Sequence, residues 1–166
     1  METPPATPQA PAPSVAFEAG FVEAMRDVFE QRVAFNRLIG LELTSFDVER
    51  PTCRIRMRPE LIGHFLHHRL HGGAISAAID AAGGFGIMLA IAARHMNESI
   101  AERAARFAKL GTIDLRVDYL RPATGPHFDI AVSVLRLGSR VASTRMDMVN
   151  SSGIVVATGS GAYIVS

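Results

Sequence analysis

The sequence predicts an α+β domain in which an antiparallel sheet of about six strands wraps around one long apolar helix. Three observations carry this expectation. The run Ala74–Ala93 is about 20 residues long and holds one charged side chain, Asp80, so it reads as a helix that is apolar all round. After Gly111 come four stretches rich in β-forming residues, each bounded by Gly, Pro, Ser or Asn. A chain of 166 residues is long enough for one substantial core and short for two.

The elements follow in order. From Val15 to about Ala34, Phe17, Phe21, Met25, Val28, Phe29 and Val33 recur near helical spacing among charged residues. This predicts an amphipathic helix with Ser14 as its N-cap. Leu41–Arg50 reads as a strand whose apolar parity changes between Leu43 and Phe46, the mark of a bulge or twist. In Thr52–Arg58, Cys53, Ile55 and Met57 face one way and Arg54, Arg56 and Arg58 the other, the arginines forming a solvated face. Pro59 ends that strand. The apolar helix runs from about Gly73 to Arg94, and a polar helical stretch, His95–Lys109, leads to Gly111. The strands Thr112–Leu120, Phe128–Leu137, Val141–Val149 and Ile154–Val165 are joined by short links and form an antiparallel run. Gly83, Gly84 and Gly86 each cost the helix about 1 kcal/mol against alanine, a cost that fits close approach of the sheet or of another chain.

Composition narrows the function classes. Seventeen Lys and Arg against 16 Asp and Glu, no tryptophan and no basic run give no nucleic-acid surface. The single Cys53 excludes an internal disulfide and a cysteine zinc cluster, and favours a reducing cytoplasm. Its place in an alternating strand marks it as a buried structural thiol. Residues 1–14 are proline-rich with no basic start and no apolar run, which reads as a disordered tail rather than a signal peptide. Residues 15–166 then form the domain. A membrane span at Ala74–Ala93 is disfavoured by Asp80 near its middle, a penalty of roughly 3 kcal/mol.

The chemistry concentrates in Leu70-His-Gly-Gly-Ala-Ile-Ser-Ala-Ala-Ile-Asp80. Gly72 and Gly73 open the apolar helix, where unpaired N–H groups and the positive dipole end can hold an oxyanion. Asp80 is the only acidic residue from Gly73 to Arg94. A carboxylate on such a helix must face something polar or something reactive.

His71-Gly72-Gly73, the aspartate nine positions after the histidine, and Gly111-Thr-Ile-Asp-Leu-Arg-Val-Asp-Tyr-Leu-Arg-Pro122 together resemble the hotdog-fold acyl-CoA thioesterases. The nearest branch is that of the phenylacetate-pathway thioesterase and its mammalian relatives, and the similarity runs from about Phe35 to Val165. The resemblance implies a hotdog fold and hydrolysis of acyl-CoA to free acid and coenzyme A. It implies no metal and no cofactor beyond the coenzyme A of the substrate. It also implies a homodimer or a dimer of dimers with active sites at the subunit interface. Residue by residue, it makes Asp80 the general base or nucleophile and Gly72 the N–H donor to the thioester carbonyl. His71 then orients its neighbours and Thr112 holds the attacking water. Tyr119 and the turn Gly138-Ser139-Arg140-Val141 border the coenzyme A arm.

One departure stands out. Many relatives carry an asparagine or glutamine shortly before His-Gly-Gly that helps position the thioester or water; here His64 stands at or near that place, an imidazole that can hydrogen-bond similarly. His64, His67, His68 and His71 follow helical spacing that can bind zinc or nickel, but the resemblance makes the segment a loop. Arg121, with Arg116 and Arg140, is placed to meet an adenosine phosphate. The acyl group is not legible: Phe65, Phe85, Met88 and Leu89 either line a slot or belong to the core. Two rival readings keep the fold and change the role. One is a non-catalytic acyl-CoA-binding module; the other is a hotdog hydratase or dehydratase, which pairs a histidine with a differently placed acid.

Overall fold

The computed structural model describes residues 15–166. The expected tail over 1–14, and Ser14 as a helix cap, lie outside the described residues. The order is α1 (Ala19–Arg26), a π-helical turn (Asp27–Arg32), α2 (Ala34–Ile39), β1 (Glu42–Ser45), β2 (Thr52–Arg56), β3 (Ile62–His64) and β4 (Arg69–Leu70). Then come α3 (Gly72–Arg94), α4 (Ile100–Ala105), β5 (Gly111–Tyr119), β6 (His127–Leu137), β7 (Val141–Asn150) and β8 (Val155–Ile164). Six strands make one antiparallel sheet in the order β1-β2-β6-β7-β8-β5, and β3 pairs with β4 in a separate small hairpin.

The sheet grips α3. Ala78, Ile79, Ala82, Phe85 and Leu89 of the helix are fully buried against Cys53, Ile55, Phe128, Ile130, Met146 and Ala157. The helix is long and apolar enough to cross a membrane, yet that apolar surface is spent on the sheet. Cys53 sits in the same core, and burial pushes its thiol far up, as an inert structural cysteine requires.

The glycines of α3 differ in purpose. A Cβ on Gly86 would stand 2.6 Å from Val132 Cγ1, and one on Gly83 would stand 2.9 Å from Cζ of Tyr163. These two admit the sheet. A Cβ on Gly84 meets only Leu110, at an ordinary 3.8 Å. Gly84→Ala should therefore gain up to about 1 kcal/mol of helix propensity, and Gly86→Ala should lose about 1–2 kcal/mol net, because overpacking against a stiff valine outweighs that gain. Thermal melts of the two variants should move in opposite directions, by roughly 2–4 °C per kcal/mol. A rise for both would mean that the sheet does not constrain the helix at Gly86.

Several boundaries differ from expectation, each for a local reason. The first helix begins at Ala19 with Glu18 as N-cap rather than at Val15. It does not run straight to Ala34, since Val33 N–H reaches back five residues to Val28 O, and a second helix, α2, follows. The wide turn leaves Phe21, Met25 and Phe29 all buried and lets Glu30 accept the Leu43 N–H at 2.7 Å. Gly40, at φ +69°, ends α2 in the left-handed conformation.

The first strand stops at Ser45 instead of Arg50. There Ser45 and Asp47 side chains accept the Asp47 and Glu49 N–H groups and replace the ladder. Its bulge lies between Leu43 and Ser45, where the parity changes. The arginines of β2 are not simply solvated: Arg54 grips Asp129 in a two-pronged ion pair at 2.7 and 2.9 Å, and Arg56 grips Glu42.

The polar stretch after α3 is helical only from Ile100, where Ser99 and Glu102 form a capping box. Four antiparallel strands follow α4, but β5 pairs with β8 and not with its successor β6. The link after Leu120 crosses the sheet because β6 is already paired to β2. As a result β5 is an edge strand of the sheet.

Candidate active site

His71 is the N-cap of α3, at φ −65° and ψ 136°, and its ring Nδ1 accepts the Gly73 N–H at 2.8 Å. One of the N–H groups at the mouth is therefore taken by the protein itself. The Gly72 N–H makes no hydrogen bond among the described residues and remains a donor at the positive end of a 23-residue helix. The hydroxyls of Tyr119 and Ser76 lie 3.1 and 3.0 Å from the Gly72 carbonyl oxygen. Tyr119 thus braces the helix mouth from the edge strand. A Cβ on Gly72 would stand 3.4 Å from the Tyr119 ring.

Asp80 is half-buried on α3. Thr112, from the start of β5, donates to its Oδ1 at 2.9 Å. The Tyr163 hydroxyl, from β8, reaches both that Oδ1 at 3.3 Å and the Asp80 carbonyl oxygen at 3.0 Å. Burial and the Asp80 carboxylate push the Tyr163 phenol well above its usual range, so it stays protonated as a donor. Both side-chain bonds converge on one carboxylate oxygen. Oδ2 has no hydrogen-bond partner among the described residues.

Spacing sets a constraint on how these parts cooperate. Gly72 and Asp80 lie eight residues apart on one helix, about 12 Å along its axis. A thioester carbonyl cannot touch both in the same copy.

The remaining predicted residues divide. The turn Gly138-Ser139-Arg140-Val141 joins β6 to β7 beside the far end of α3, where Arg94 Nη1 donates to Leu137 O at 3.1 Å. Gly138 and Ser139 line a cavity of about 230 Å³ there with Arg94, His95 and Arg106. That end lies about 21 Å along the axis from Asp80, so within one copy the structure does not bring this turn to the carboxylate. Arg121 follows β5 and donates to Val155 O at 2.9 Å.

His64 belongs to the β3–β4 hairpin and not to a loop, a pairing too short to show in the sequence. It is exposed, stacks on His67 with ring centres 4.7 Å apart, and makes no hydrogen bond to Asp80 among the described residues. His68 takes φ +45° in the hairpin turn and His71 is turned to the helix cap, so the four histidines do not share a helical face. No group of three His, Cys, Asp or Glu suited to a metal ion occurs among the described residues. Phe85 and Leu89 are core, Phe65 is exposed, and Met88 is only partly buried.

Two residues of the site escaped sequence reasoning. Tyr163 reads as a strand aromatic, and Ser76 as a small helix residue. The available signal for Tyr163 was the small-residue surface it needs: its ring lies over Gly161 of its own strand and its hydroxyl against Gly83 of α3.

Comparison with known proteins gives the chain's family. A family model described as thioesterase superfamily matches residues 67–157, which hold Gly72, Asp80, Thr112 and Tyr119. The medium/long-chain acyl-CoA thioesterase YigI of Escherichia coli is 35% identical over 139 residues, covering 84% of this chain and 90% of that protein. A crystal structure from Shewanella oneidensis, related to the thioesterase superfamily, superposes with a TM-score of 0.82 at 38% identity over 89% of this chain and 97% of that one. Mouse thioesterase superfamily member 2 shares the fold at a TM-score of 0.67 and 19% identity, covering 87% of this chain and 97% of its own. The helix that carries Asp80, the sheet that wraps it and these relatives lead to one family: the chain belongs to the thioesterase superfamily and has its hotdog fold.

Proposed function

We propose that this protein is an acyl-CoA thioesterase that hydrolyses medium- to long-chain substrates at sites shared between two copies of the chain. The observation that carries the proposal is the Asp80 carboxylate, tethered through Oδ1 and open at Oδ2, half-buried on an otherwise apolar helix. The relative YigI carries the name of a medium/long-chain acyl-CoA thioesterase, which supports the substrate class.

The chemistry follows from placement. Oδ2 of Asp80 attacks the thioester carbon or takes a proton from a water that does. Thr112 and Tyr163 hold the carboxylate in line and stabilise its charge through Oδ1. As the carbonyl becomes tetrahedral, its oxygen accepts the Gly72 N–H, which is fixed by the helix and needs no reorganisation. Collapse of the intermediate breaks the carbon–sulfur bond and the coenzyme A thiolate leaves. On the water route the proton taken up by Asp80 passes to that thiolate and the acid is released directly; on the attack route the anhydride left on Asp80 is hydrolysed by water, which frees the acid, restores the carboxylate and supplies the proton. His71 holds the Gly73 N–H and so orients the mouth.

The 12 Å between Gly72 and Asp80 supports a reading in which they serve different active sites, each completed by the neighbouring copy. The free edge strand β5 suits that arrangement. It carries Thr112 and Tyr119, exposes Ile113 and Tyr119, is followed by the exposed Leu120, and has a side unpaired among the described residues that a second copy can cover. The protein acts as a homodimer or a dimer of dimers, with no metal or redox cofactor, no nucleic-acid partner and no membrane, in the cytoplasm. Gly138–Val141 of the neighbouring copy, with Arg121, borders the coenzyme A arm, and His64 takes the place of the asparagine or glutamine that helps relatives position the thioester or water.

Purified protein offered acyl-CoAs from acetyl to palmitoyl, with benzoyl and phenylacetyl, should release free thiol, fastest with the longer acyl chains. Binding without thiol release would make the protein an acyl-CoA-binding module instead. Reversible addition of water to an enoyl thioester would make it a hydratase.

A further inference from the structure

An apolar cavity of about 270 Å³ lies between α1 and α4, floored by Met88 of α3. Its walls include Phe21, Met25, Val28, Ile100 and Phe107, and among the described residues no polar side chain lines it. The roof is fastened. Arg103 of α4 is fully buried, ion-paired with Glu18 at the start of α1, and stacked over Phe21 at 4.6 Å. An apolar lining gains from contact with alkyl groups rather than water, so its chemistry suits an alkyl occupant.

Its position says which one. Met88 lies eight residues beyond Asp80 on the same helix, about 12 Å along the axis. Between them Ala81 is only partly buried and Gly84 has no side chain, with the flexible Leu110 lying over Gly84, so a chain running along this face needs only Leu110 to turn aside. An extended chain advances about 1.2 Å per bond, as the backbone does, so roughly ten bonds separate a carbonyl at Asp80 from Met88. Carbons beyond the tenth then enter the cavity.

We infer that this cavity is the terminal acyl-chain pocket, and that it selects fatty acyl thioesters of more than about ten carbons. The inference rests on the acyl-CoA thioesterase reading above. Burial of methylenes beyond the tenth carbon supplies binding that shorter chains do not make, and the pocket discriminates by length rather than by polar contact.

Filling the pocket from either wall tests this. Ala24→Phe, from α1, and Ala104→Phe, from α4, both line the cavity and lie outside the catalytic groups. Ala104 is exposed, so its variant folds even where the α1 wall resists change. Thiol release should be measured with hexanoyl-, dodecanoyl- and hexadecanoyl-CoA. We expect kcat/KM for the two long substrates to fall at least about tenfold, with hexanoyl-CoA within about twofold of the parent. A parent active on acyl-CoAs whose chain-length profile is unmoved by both substitutions, or reduced equally at all lengths, overturns the pocket while leaving the enzyme reading intact. A parent that cleaves no acyl-CoA overturns both.

Discussion

Asp80→Asn should lower kcat by at least about a hundredfold, the lower range for loss of a positioned base or nucleophile. Acyl-CoA affinity should stay within a few-fold, because binding rests on apolar burial and on the coenzyme A arm rather than on this carboxylate. The fold should be kept. Asparagine has the same shape, and its carbonyl oxygen still accepts from Thr112 and Tyr163 as Oδ1 does. What it loses is the Oδ2 that takes a proton or attacks carbon. The melting temperature should hold or rise, since a half-buried reactive charge on an apolar helix is a cost that function maintains. Near-normal turnover in the variant would remove Asp80 from the mechanism and make His64 or His71 the next base to test. His71 is the weaker of those two, with its Nδ1 occupied by the Gly73 N–H.

The parts of the fold that were legible in the sequence are those with a long period. The apolar run around Asp80 reads as a buried helix because nothing else of that length fits inside a small domain. The strands after Gly111 show alternation and clear punctuation. What escaped was short or non-local. A π-helical turn at Asp27–Arg32 shifts the hydrogen bond by one residue and leaves the apolar spacing of Phe21, Met25 and Phe29 untouched, so no periodicity reports it. The β3–β4 hairpin has strands of three and two residues, too short to alternate. The partnership of β5 with β8 depends on which edge is left after β2 has taken β6, a fact of the assembled sheet and not of any segment.

The site divides in the same way. Asp80 and Gly72 announce themselves, since an acid on an apolar helix and glycines at its mouth are unusual locally. Thr112 and Tyr119 came only with the family resemblance, and Tyr163 did not come at all. A tyrosine whose hydroxyl crosses from one strand to a helix backbone carries its meaning in the glycine it faces, Gly83, eighty residues earlier. Burial of Arg103 under α1 was likewise unreadable, because its partner Glu18 sits 85 positions away.

Gly72→Pro should abolish most activity, and its rescue should reveal how the sites are shared. Proline deletes the one N–H assigned to the oxyanion, and removing such a donor costs about 10²–10³ in kcat. The backbone tolerates it. Gly72 is the first residue of α3, where proline is favoured, and His71 before it holds φ −65° and ψ 136°, the extended region that a following proline requires. Gly72→Ala keeps the N–H, and its methyl meets the Tyr119 ring at 3.4 Å. It should therefore lose far less than the proline variant, which separates the lost donor from simple crowding. Gly72 and Asp80 of one copy lie about 12 Å apart along the helix, so the proposed shared site draws one of them from each subunit. Co-expressed with different tags and purified through both, the Gly72→Pro and Asp80→Asn chains form heterodimers with one site doubly damaged and one intact. Such heterodimers should recover roughly half the parent activity, whereas each variant alone has almost none. Heterodimers as inactive as the two homodimers would place both groups in a single subunit's site, and the shared arrangement would fall.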